Sequence, residues 1–291
     1  MCIVEEDILK LYNRCFPYSL RTRAVCGELA CREVVRSIRD AKSIGCLSYN
    51  ESLRDDSMLS YAKVLLDDRG VEFTKENIEG IVSKLNCFPK NFKPSLAKSI
   101  YSHFCKDGYV CLDYSAGFGG RLLGCLCSGK SLQYIGFEPN TKTYEELKEL
   151  GAVAKKVVRD SSSFRVINDI SENICNYLDS DSVDFAFSCP PYYKYEEYCS
   201  ESTQSTVKYP RYEDWLSGYV TETIRSIRSV LKKGGLFLVY IMNVTIDGVC
   251  YPLVDDWIRI AEESGFTLED CSMVNKNFSI AGRSCLISFR K

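Results

Sequence analysis

The stretch Leu112-Asp113-Tyr114-Ser115-Ala116-Gly117-Phe118-Gly119-Gly120-Arg121 decides the predicted fold of this chain of 291 residues. An apolar run that begins at Tyr109 predicts a buried strand before it, and an apolar stretch from Arg121 predicts a helix after it. The glycines allow the backbone to turn sharply and to approach a ligand closely. In open α/β sheets such a turn lies at the carboxyl edge of the strands, where ligands bind. No Gly-Lys-Ser/Thr follows and the strict Gly-x-Gly-x-x-Gly spacing is absent, so the loop is neither a phosphate loop nor a dinucleotide motif.

Strands and helices are predicted to alternate from Pro94 to the end of the chain. Further apolar runs predict strands over 133–138, 154–159, 183–188, 236–241 and 284–290, and helical spacing marks 94–104, 140–150, 214–231 and 252–264. Such alternation predicts an α/β fold with a mostly parallel sheet, right-handed crossovers and helices on both faces. Residues 1–88 show helical spacing only. We therefore predict a helical N-terminal domain over 1–88 and a second domain, which contains the sheet, over 89–291.

The composition restricts the classes of protein to which the chain can belong. Hydrophobic residues make up 45% and charged residues 26%, which is typical of a globular protein. A formal net charge of −2 gives no overall attraction to polyanions, so a nucleic-acid surface would have to be a local patch. The 16 cysteines form no Cys-x-x-Cys pair and there is one histidine, so we expect no metal site. Without a signal-peptide region or an apolar run of ~18 residues, we expect a cytoplasmic protein and no membrane contact.

Acidic residues are predicted at the ends of three successive strands. Asp113 ends the first strand, Glu138 ends the second, and Asp160 with Ser161 follows the third. A carboxylate after the second strand can accept hydrogen bonds from both hydroxyls of a ribose. An acid and a hydroxyl after the third strand would suit the amino group of an adenine. These residues therefore predict a nucleoside-binding edge beside the glycine loop.

The segment from Asp113 to Arg121, with Glu138 and Asp160 after it, resembles the first signature and the next two cofactor positions of class I S-adenosylmethionine-dependent methyltransferases. The resemblance implies a Rossmann-like fold with a seven-stranded, mostly parallel sheet, an antiparallel last strand, and S-adenosyl-L-methionine as the cofactor. Upstream, 92–101 resembles the segment that closes over methionine in amino-methylating DNA methyltransferases. The cofactor-binding residues that these resemblances imply are Phe92, Pro94, Asp113, Ser115, Ala116, Gly117, Phe118, Gly119, Arg121, Glu138, Asp160 and Ser161.

The run Cys189-Pro190-Pro191-Tyr192 ends the fourth predicted strand. Its prolines restrict the backbone, so that a main-chain carbonyl can face a site, and its aromatic ring can stack on a planar substrate. The run resembles the Asp/Asn/Ser-Pro-Pro-Tyr/Phe motif of methyltransferases that act on planar exocyclic or amide nitrogens. The resemblance implies that Cys189 and the Pro190 main chain hold the amino group, while Tyr192 stacks on a base that has left the duplex. Methyl transfer would be a direct in-line attack, with positioning as the main source of catalysis.

Cys189 stands where this motif usually has Asp, Asn or Ser, and a thiol is a weaker hydrogen-bond acceptor than those side chains. Three interpretations stay open. The site can be of the Ser type with a conservative exchange, or the substrate can be changed or the enzyme weakened. Cys189 can also be a nucleophile for methylation of a pyrimidine carbon, although its place before a proline disfavours this. A Pro-Pro turn that merely ends a strand is the alternative without chemistry.

The polar, tyrosine-rich stretch 196–215 resembles segments of phage and bacterial Ser-Pro-Pro-Tyr DNA methyltransferases. Aromatic rings interleaved with basic side chains suit stacking and phosphate contact, so we predict Tyr193, Lys194, Lys208 and Arg211 as substrate-binding residues. The N-terminal region is locally basic, and as a hypothesis it contacts phosphates or recognises the target. The arginines concerned are Arg14, Arg21, Arg23, Arg32, Arg36 and Arg39.

The predicted function is S-adenosylmethionine-dependent methylation of an exocyclic amino group of a DNA base, N4 of cytosine or N6 of adenine. DNA is the expected partner. The alternatives are a methyltransferase for RNA bases or for a protein glutamine amide, and a cofactor-binding pseudoenzyme that serves as a subunit. Assembly as a homodimer or with a partner subunit stays open.

Overall fold

The structure is a computed structural model that describes residues 2–18, 26–84, 88–274 and 284–291. Within these ranges, the helices before residue 89 are α1 (Ile3–Asn13), α2 (Glu28–Val34), α3 (Tyr49–Ser52), α4 (Asp56–Asp68) and α5 (Lys75–Val82). The later helices are α6 (Pro94–Phe104), α7 (Gly120–Leu126), α8 (Thr141–Val157), α9 (Ser205–Lys208), α10 (Tyr212–Trp215), α11 (Thr221–Val230) and α12 (Leu253–Glu263). A π-helical turn at Leu216–Val220 joins α10 to α11, which confirms the helix predicted over 214–231.

The described strands include one sheet of seven. They are β1 (Val110–Asp113), β2 (Gln133–Phe137), β3 (Ser163–Ile167), β4 (Val183–Ser188), β5 (Leu231–Met242), β6 (Thr267–Met273) and β7 (Ser284–Arg290). Their order is β6-β7-β5-β4-β1-β2-β3. Only β7 runs antiparallel to its neighbours, β5 and β6. This confirms the predicted Rossmann-like α/β fold with a seven-stranded, mostly parallel sheet and an antiparallel last strand.

The strand order places two loops side by side. β1 pairs with β2 on one side and with β4 on the other, both in parallel. The chain moves outward from β1 through β2 to β3, and then crosses back to β4. At such a switch point the carboxyl ends of the two central strands border a crevice. The glycine loop after β1 and the Cys-Pro-Pro-Tyr run after β4 therefore leave the sheet at the same edge.

The predicted third strand over 154–159 is wrong. Residues 154–157 are the last turn of α8, whose buried positions Leu147, Leu150, Gly151 and Ala154 follow helical spacing on one face. The third strand is Ser163–Ile167, parallel to β2. Asp160 and Ser161 therefore precede this strand instead of following it. Because the strands are parallel, these two residues lie at the amino edge of the sheet, opposite the glycine loop.

The N-terminal helices share a core with the sheet. Ile8 and Leu11 of α1 and Ala30 of α2 are fully buried in the same apolar cluster as side chains of α6, α7 and α8. In contrast, α4 and α5 contribute to a small cluster of their own. The division at residue 88 stays a prediction, but α1 and α2 pack as part of the sheet-containing body.

Membrane-spanning helices and groups of metal ligands are both absent from the part of the chain that the structure describes. No helix there combines the length and apolar character needed to cross a membrane. Within the same ranges, no three His, Cys, Asp or Glu side chains are grouped in a way that could hold a metal ion.

Candidate functional site

The glycine loop turns tightly between β1 and α7. Gly117 has a φ angle of +58° and Gly119 one of +84°, which is the left-handed region that favours glycine. Gly120 has no room for a side chain, because an added Cβ would lie 1.8 Å from the carbonyl oxygen of Phe92. The segment before α6 thus packs directly on the start of α7. This close approach requires glycine at position 120.

A buried ion pair lies beneath the loop. Arg121 Nε donates a hydrogen bond of 2.9 Å to Asp113 Oδ2, and both side chains are almost fully buried. Burial alone would lower the pKa of Arg121, but the Asp113 charge outweighs it and the pKa is raised. The hydroxyls of Tyr134 (2.8 Å) and Ser188 (2.7 Å) also donate to Asp113. Asp113, at the end of β1, therefore links this strand to β2 through Tyr134 and to the end of β4 through Ser188.

Glu138, after β2, bridges the loop and the second strand. Its Oε2 accepts a hydrogen bond from Gly117 N at 2.9 Å, and its Oε1 accepts one from Asn140 N at 2.9 Å. Burial raises the pKa of Glu138 to about 7, although the two N–H donors lower it. The carboxylate is 7% exposed and lines a cavity in front of the loop.

This cavity, of about 1020 Å³, brings together residues that are far apart in the sequence. The glycine loop and Glu138 form one part of its wall. The run Cys189–Tyr192 forms another. The predicted site residues that line it are Phe92, Ser115, Gly117, Phe118, Arg121, Glu138, Cys189, Pro190, Pro191 and Tyr192. Both predicted motifs therefore face a common space, and the role of each lining residue stays a prediction.

Four predicted cofactor residues lie behind the wall of the cavity. Pro94 is buried in the first turn of α6, and Asp113 is buried in the ion pair. Ala116 is buried and donates its N–H to the carbonyl of Phe137 at 2.8 Å. At Gly119 an added Cβ would meet a leucine of α8 at 2.4 Å. These residues shape the loop from behind and do not line the cavity.

Asp160 and Ser161 do not belong to the site. Asp160 Oδ1 accepts a hydrogen bond from Ser162 N at 2.9 Å, at the amino edge of the sheet. The acid that does follow β3 is Asp169. It accepts hydrogen bonds from Ile170 N at 2.7 Å and from the Tyr177 hydroxyl at 2.8 Å. The next residues, 170–172, line the cavity.

The predicted substrate-binding residues Tyr193, Lys194, Lys208 and Arg211 do not line this cavity. Tyr193 is buried among aromatic rings, and its hydroxyl donates to Pro210 O at 2.7 Å. Lys194, Lys208 and Arg211 are exposed. Lys208 Nζ lies 3.2 Å from Glu172 and Arg211 Nε lies 3.6 Å from Asp214, so both cations form ion pairs. Their contact with a substrate stays a prediction.

Cys189 is unsuited to nucleophilic attack. Burial raises the pKa of its thiol to about 11, and the Arg121 charge lowers it only in part. A thiol with such a pKa is almost fully protonated at neutral pH, and only the thiolate is a strong nucleophile. The thiol lies 3.1 Å from the Tyr192 hydroxyl as a hydrogen-bond partner. The structure thus argues against the cysteine-nucleophile interpretation.

Further cavity residues were not predicted from the sequence. Aromatic side chains lie next to the Cys-Pro-Pro-Tyr run. Gln204 is 8% exposed, and its Nε2 has no hydrogen-bond partner among the described residues. No local pattern distinguishes these side chains from ordinary loop residues. The cavity residues that were not predicted are Tyr195, Glu196, Tyr198, Gln204, Tyr219 and Tyr240.

The segment that carries Gln204 is attached over one end of the cavity. Glu201 accepts a hydrogen bond from the Thr141 hydroxyl at 3.2 Å, and the Thr203 hydroxyl donates to Pro139 O at 3.3 Å. Further along, the ion pair of Lys208 joins this segment to the region after β3. The tyrosine-rich stretch therefore covers the end of the cavity that Glu138 and Ile170 line.

The N-terminal region also reaches the cavity. Residues 42–43 pair antiparallel with residues 196–197, and Ser43 and Phe88 line the cavity. Of the N-terminal arginines, Arg21 and Arg23 lie outside the described residues. The predicted role of the others in target recognition stays a prediction.

No protein-family model matches the chain, and no curated protein sequence matches it. The fold is similar to solved structures of low sequence identity. TrmN from Thermus thermophilus is 15% identical over 68% of this chain and 48% of its own, with a TM-score of 0.47, so this chain spans about half of that protein. Fibrillarin from Aeropyrum pernix, in complex with natively bound S-adenosyl-L-methionine, is 13% identical over 67% of this chain and 73% of its own, with a TM-score of 0.43. The [4+2]-cyclase SpnF is 13% identical over 68% of this chain and 80% of its own, with a TM-score of 0.48.

Proposed function

We propose that the protein is an S-adenosylmethionine-dependent methyltransferase that acts on an exocyclic amino group of a DNA base, N4 of cytosine or N6 of adenine. One observation carries the proposal. A single cavity is lined by the glycine loop and Glu138 on one part and by Cys189–Tyr192 on another. Its volume, about 1020 Å³, is at the upper end of the range for small-molecule sites. A nucleoside cofactor and a planar base can therefore meet in it.

The residues present fit an adenosyl group. Glu138 offers a buried carboxylate next to the loop, which suits the two hydroxyls of a ribose. Ile170 offers an apolar contact for a purine ring. Gln204 Nε2 is a buried donor that has no partner within the described ranges, and an unsatisfied buried donor is costly unless a ligand supplies the acceptor. These three features support an adenosyl site between the ends of β2 and β3.

The chain's own residues would hold and orient both reactants. When bound, S-adenosylmethionine supplies an electrophilic methyl group on a positively charged sulfur. The loop and the Asp113–Arg121 pair hold one side of the cavity rigid. Pro190 and Pro191 restrict the other side. With both sides fixed in advance, orientation of the amino nitrogen toward the methyl group supplies most of the expected catalysis.

Two features of the cavity favour a nucleotide as the substrate. Aromatic rings line the cavity at and around the Cys-Pro-Pro-Tyr run, among them Tyr192, Tyr195 and Tyr240. Such rings stack on flipped-out or single-stranded bases. Lys90 and Lys93 also line the cavity and are exposed. They supply local positive charge on a chain whose formal net charge is −2. We therefore place the phosphate backbone of the substrate beside these lysines.

The test uses methyl-labelled S-adenosylmethionine with DNA, transfer RNA or a protein mixture as the acceptor. We expect label in DNA, recovered after digestion as N4-methylcytosine or N6-methyladenine. Replacement Tyr192→Ala should reduce transfer by about 100-fold or more if the ring orients the base. Replacement Tyr61→Ala is the matched control, since this tyrosine is 51% exposed on α4 and should leave transfer unchanged. Label in RNA or protein but not in DNA would refute the DNA assignment.

One observation favours a second candidate, a cofactor-binding pseudoenzyme. The Cys189 thiol already shares a hydrogen bond with Tyr192 and is a poor acceptor for an amino group. A pseudoenzyme would bind S-adenosylhomocysteine tightly and transfer no label to any acceptor. Replacement Cys189→Ser would then restore activity, because a hydroxyl is the stronger acceptor.

A further inference from the structure

Of the described residues that line the cavity, three are carboxylates: Glu138, Glu172 and Glu196. Glu138 accepts hydrogen bonds from two backbone N–H groups. Glu172 is paired with Lys208 at 3.2 Å. Glu196 differs, because its Oε2 accepts one hydrogen bond, from the Tyr198 hydroxyl at 2.6 Å. Within the described ranges its Oε1 has no protein donor and the side chain forms no ion pair.

Glu196 is held close to the Cys-Pro-Pro-Tyr run. It directly follows the 3-10 turn Tyr193–Tyr195. Its backbone pairs with Ser43, and Ile44 N donates to the Tyr195 carbonyl at 3.0 Å. The N-terminal region therefore fixes the backbone that presents this carboxylate.

The charge of Glu196 affects the pKa values of two side chains in the Cys-Pro-Pro-Tyr run. Burial is the main cause of the raised pKa of the Cys189 thiol and of the Tyr192 hydroxyl, and Glu196 raises both further. Burial also raises the pKa of Glu196 itself, while the Tyr198 donor lowers it. A carboxylate whose pKa is raised toward neutrality is a better proton acceptor than an exposed one.

We infer that Glu196, and not Cys189, accepts the hydrogen bond from the target amino group and receives its proton. This inference rests on the proposed function. The amino nitrogen forms a bond to the methyl carbon of S-adenosylmethionine while the bond from sulfur to that carbon breaks, and its electron pair stays on sulfur. The positively charged nitrogen then releases a proton to a Glu196 oxygen, from which it passes to water. The free Oε1 is the atom available for this contact.

The first test measures binding and needs no turnover. Sinefungin resembles S-adenosylmethionine but carries a primary amine, protonated at neutral pH, in place of the methylated sulfonium, so it puts an ammonium near the reaction centre. S-adenosylhomocysteine lacks that charge and serves as the reference. We expect calorimetry to show that Glu196→Gln lowers the affinity for sinefungin relative to S-adenosylhomocysteine by about tenfold, through loss of a partly buried charge pair. Glutamine keeps the acceptor for Tyr198, so the affinity for the reference should stay the same.

Glu197→Gln is the matched control. Glu197 has the same charge in the next position, but its side chain is 62% exposed and pairs with Lys42 at 3.4 Å. This variant should keep the wild-type ratio of the two affinities. A wild-type ratio in Glu196→Gln would overturn the inference. Failure of the wild-type protein to bind either compound would instead refute the cofactor proposal, and with it the inference, before any variant is compared.

The second test follows transfer of labelled methyl to DNA. Glu196→Gln should lower kcat by about 100-fold or more with little change in KM, since general-base catalysis supplies about that factor. Thermal unfolding of the variant should match that of the wild type. An unchanged kcat in a folded Glu196→Gln protein would overturn the role as proton acceptor.

Discussion

The affinity for S-adenosylhomocysteine is expected to depend on pH, because Glu138 titrates near neutrality. Burial raises the pKa of Glu138 to about 7, against an ordinary value of 4.5. An ionised carboxylate can accept hydrogen bonds from both hydroxyls of a ribose, whereas a protonated one uses an oxygen as a donor. Ligand binding should therefore favour the ionised form.

The magnitude follows from this pKa. About one tenth of the molecules carry an ionised Glu138 at pH 6 and about nine tenths at pH 8. If the ionised form alone binds with full strength, the affinity rises about tenfold over this interval, or ~1.4 kcal/mol. Binding at pH 7 should release about half a proton, and binding at pH 8 about a tenth of one.

The stability of the ligand-free protein should change in the opposite direction. The pKa of Glu138 in the folded state lies above its ordinary value of 4.5, so the folded state binds this proton more tightly than the unfolded state. Its contribution to stability is therefore present below about pH 4.5 and is lost as the pH rises through about 7. Ligand binding should recover stability mainly at the upper end of this interval.

Calorimetric titrations at pH 6, 7 and 8, each in two buffers of different ionisation enthalpy, measure both the affinity and the number of protons released. Replacement Glu138→Gln should lower the affinity at pH 8 and remove the dependence on pH. Replacement Glu145→Gln is the control, since Glu145 is 59% exposed on α8 and its change should leave both quantities as in the wild type. Equal affinity from pH 6 to pH 8 without proton release, or a Glu138→Gln variant that keeps the dependence, would refute the reasoning.

Three further predictions concern the walls of the cavity. Asp113→Asn should lower the free energy of unfolding by about 3–5 kcal/mol in denaturant titrations, because it leaves the buried guanidinium of Arg121 without its charge partner. A loss below about 1 kcal/mol would contradict this. Gly120→Ala should lower the free energy of unfolding by about 3 kcal/mol or more, since its Cβ would overlap the Phe92 carbonyl. Gly80→Ala is the control and should be neutral or stabilising, because no described atom lies within 4 Å of its added Cβ. Equal melting temperatures of the two variants would count against the packing argument. Gln204→Leu should raise the melting temperature of the free protein slightly, because it removes a buried donor that has no partner among the described residues. It should also weaken S-adenosylhomocysteine binding about tenfold if the ligand supplies the acceptor. Unchanged affinity would exclude contact with the ligand.

Much of the fold was predictable because its signals are local. The strand at Val110–Asp113, the glycine loop and α7 follow one another within a short stretch whose apolar and glycine positions specify each element. The helix at Pro94–Phe104 was predicted with its observed bounds, with proline in the first turn. The prediction of the third strand was wrong for a local reason as well. Ala154, Val157 and Val158 suggested a strand, but residues 154–157 form the last turn of α8, and Ala154 belongs to its buried face.

The sixth strand, Thr267–Met273, had no position in the sequence-based prediction. Most of its side chains are exposed, so it lacks the apolar run that marked the central strands. The prediction of seven strands came from the family resemblance alone. The place of β6 in the sheet is set by hydrogen bonding to β7.

The sequence alone determines a mostly parallel α/β sheet, the glycine loop after β1 and the Cys-Pro-Pro-Tyr run after β4, because each of these features depends on neighbouring residues. The tertiary structure alone decides that Asp113 links β1, β2 and β4, and that Asp169, not Asp160, is the acid that follows the third strand. It also decides which distant side chains complete the cavity, among them Glu196 and Gln204. The physical reason is that lining a cavity and burying a charge depend on packing between segments far apart in the chain, which no local pattern of residues records.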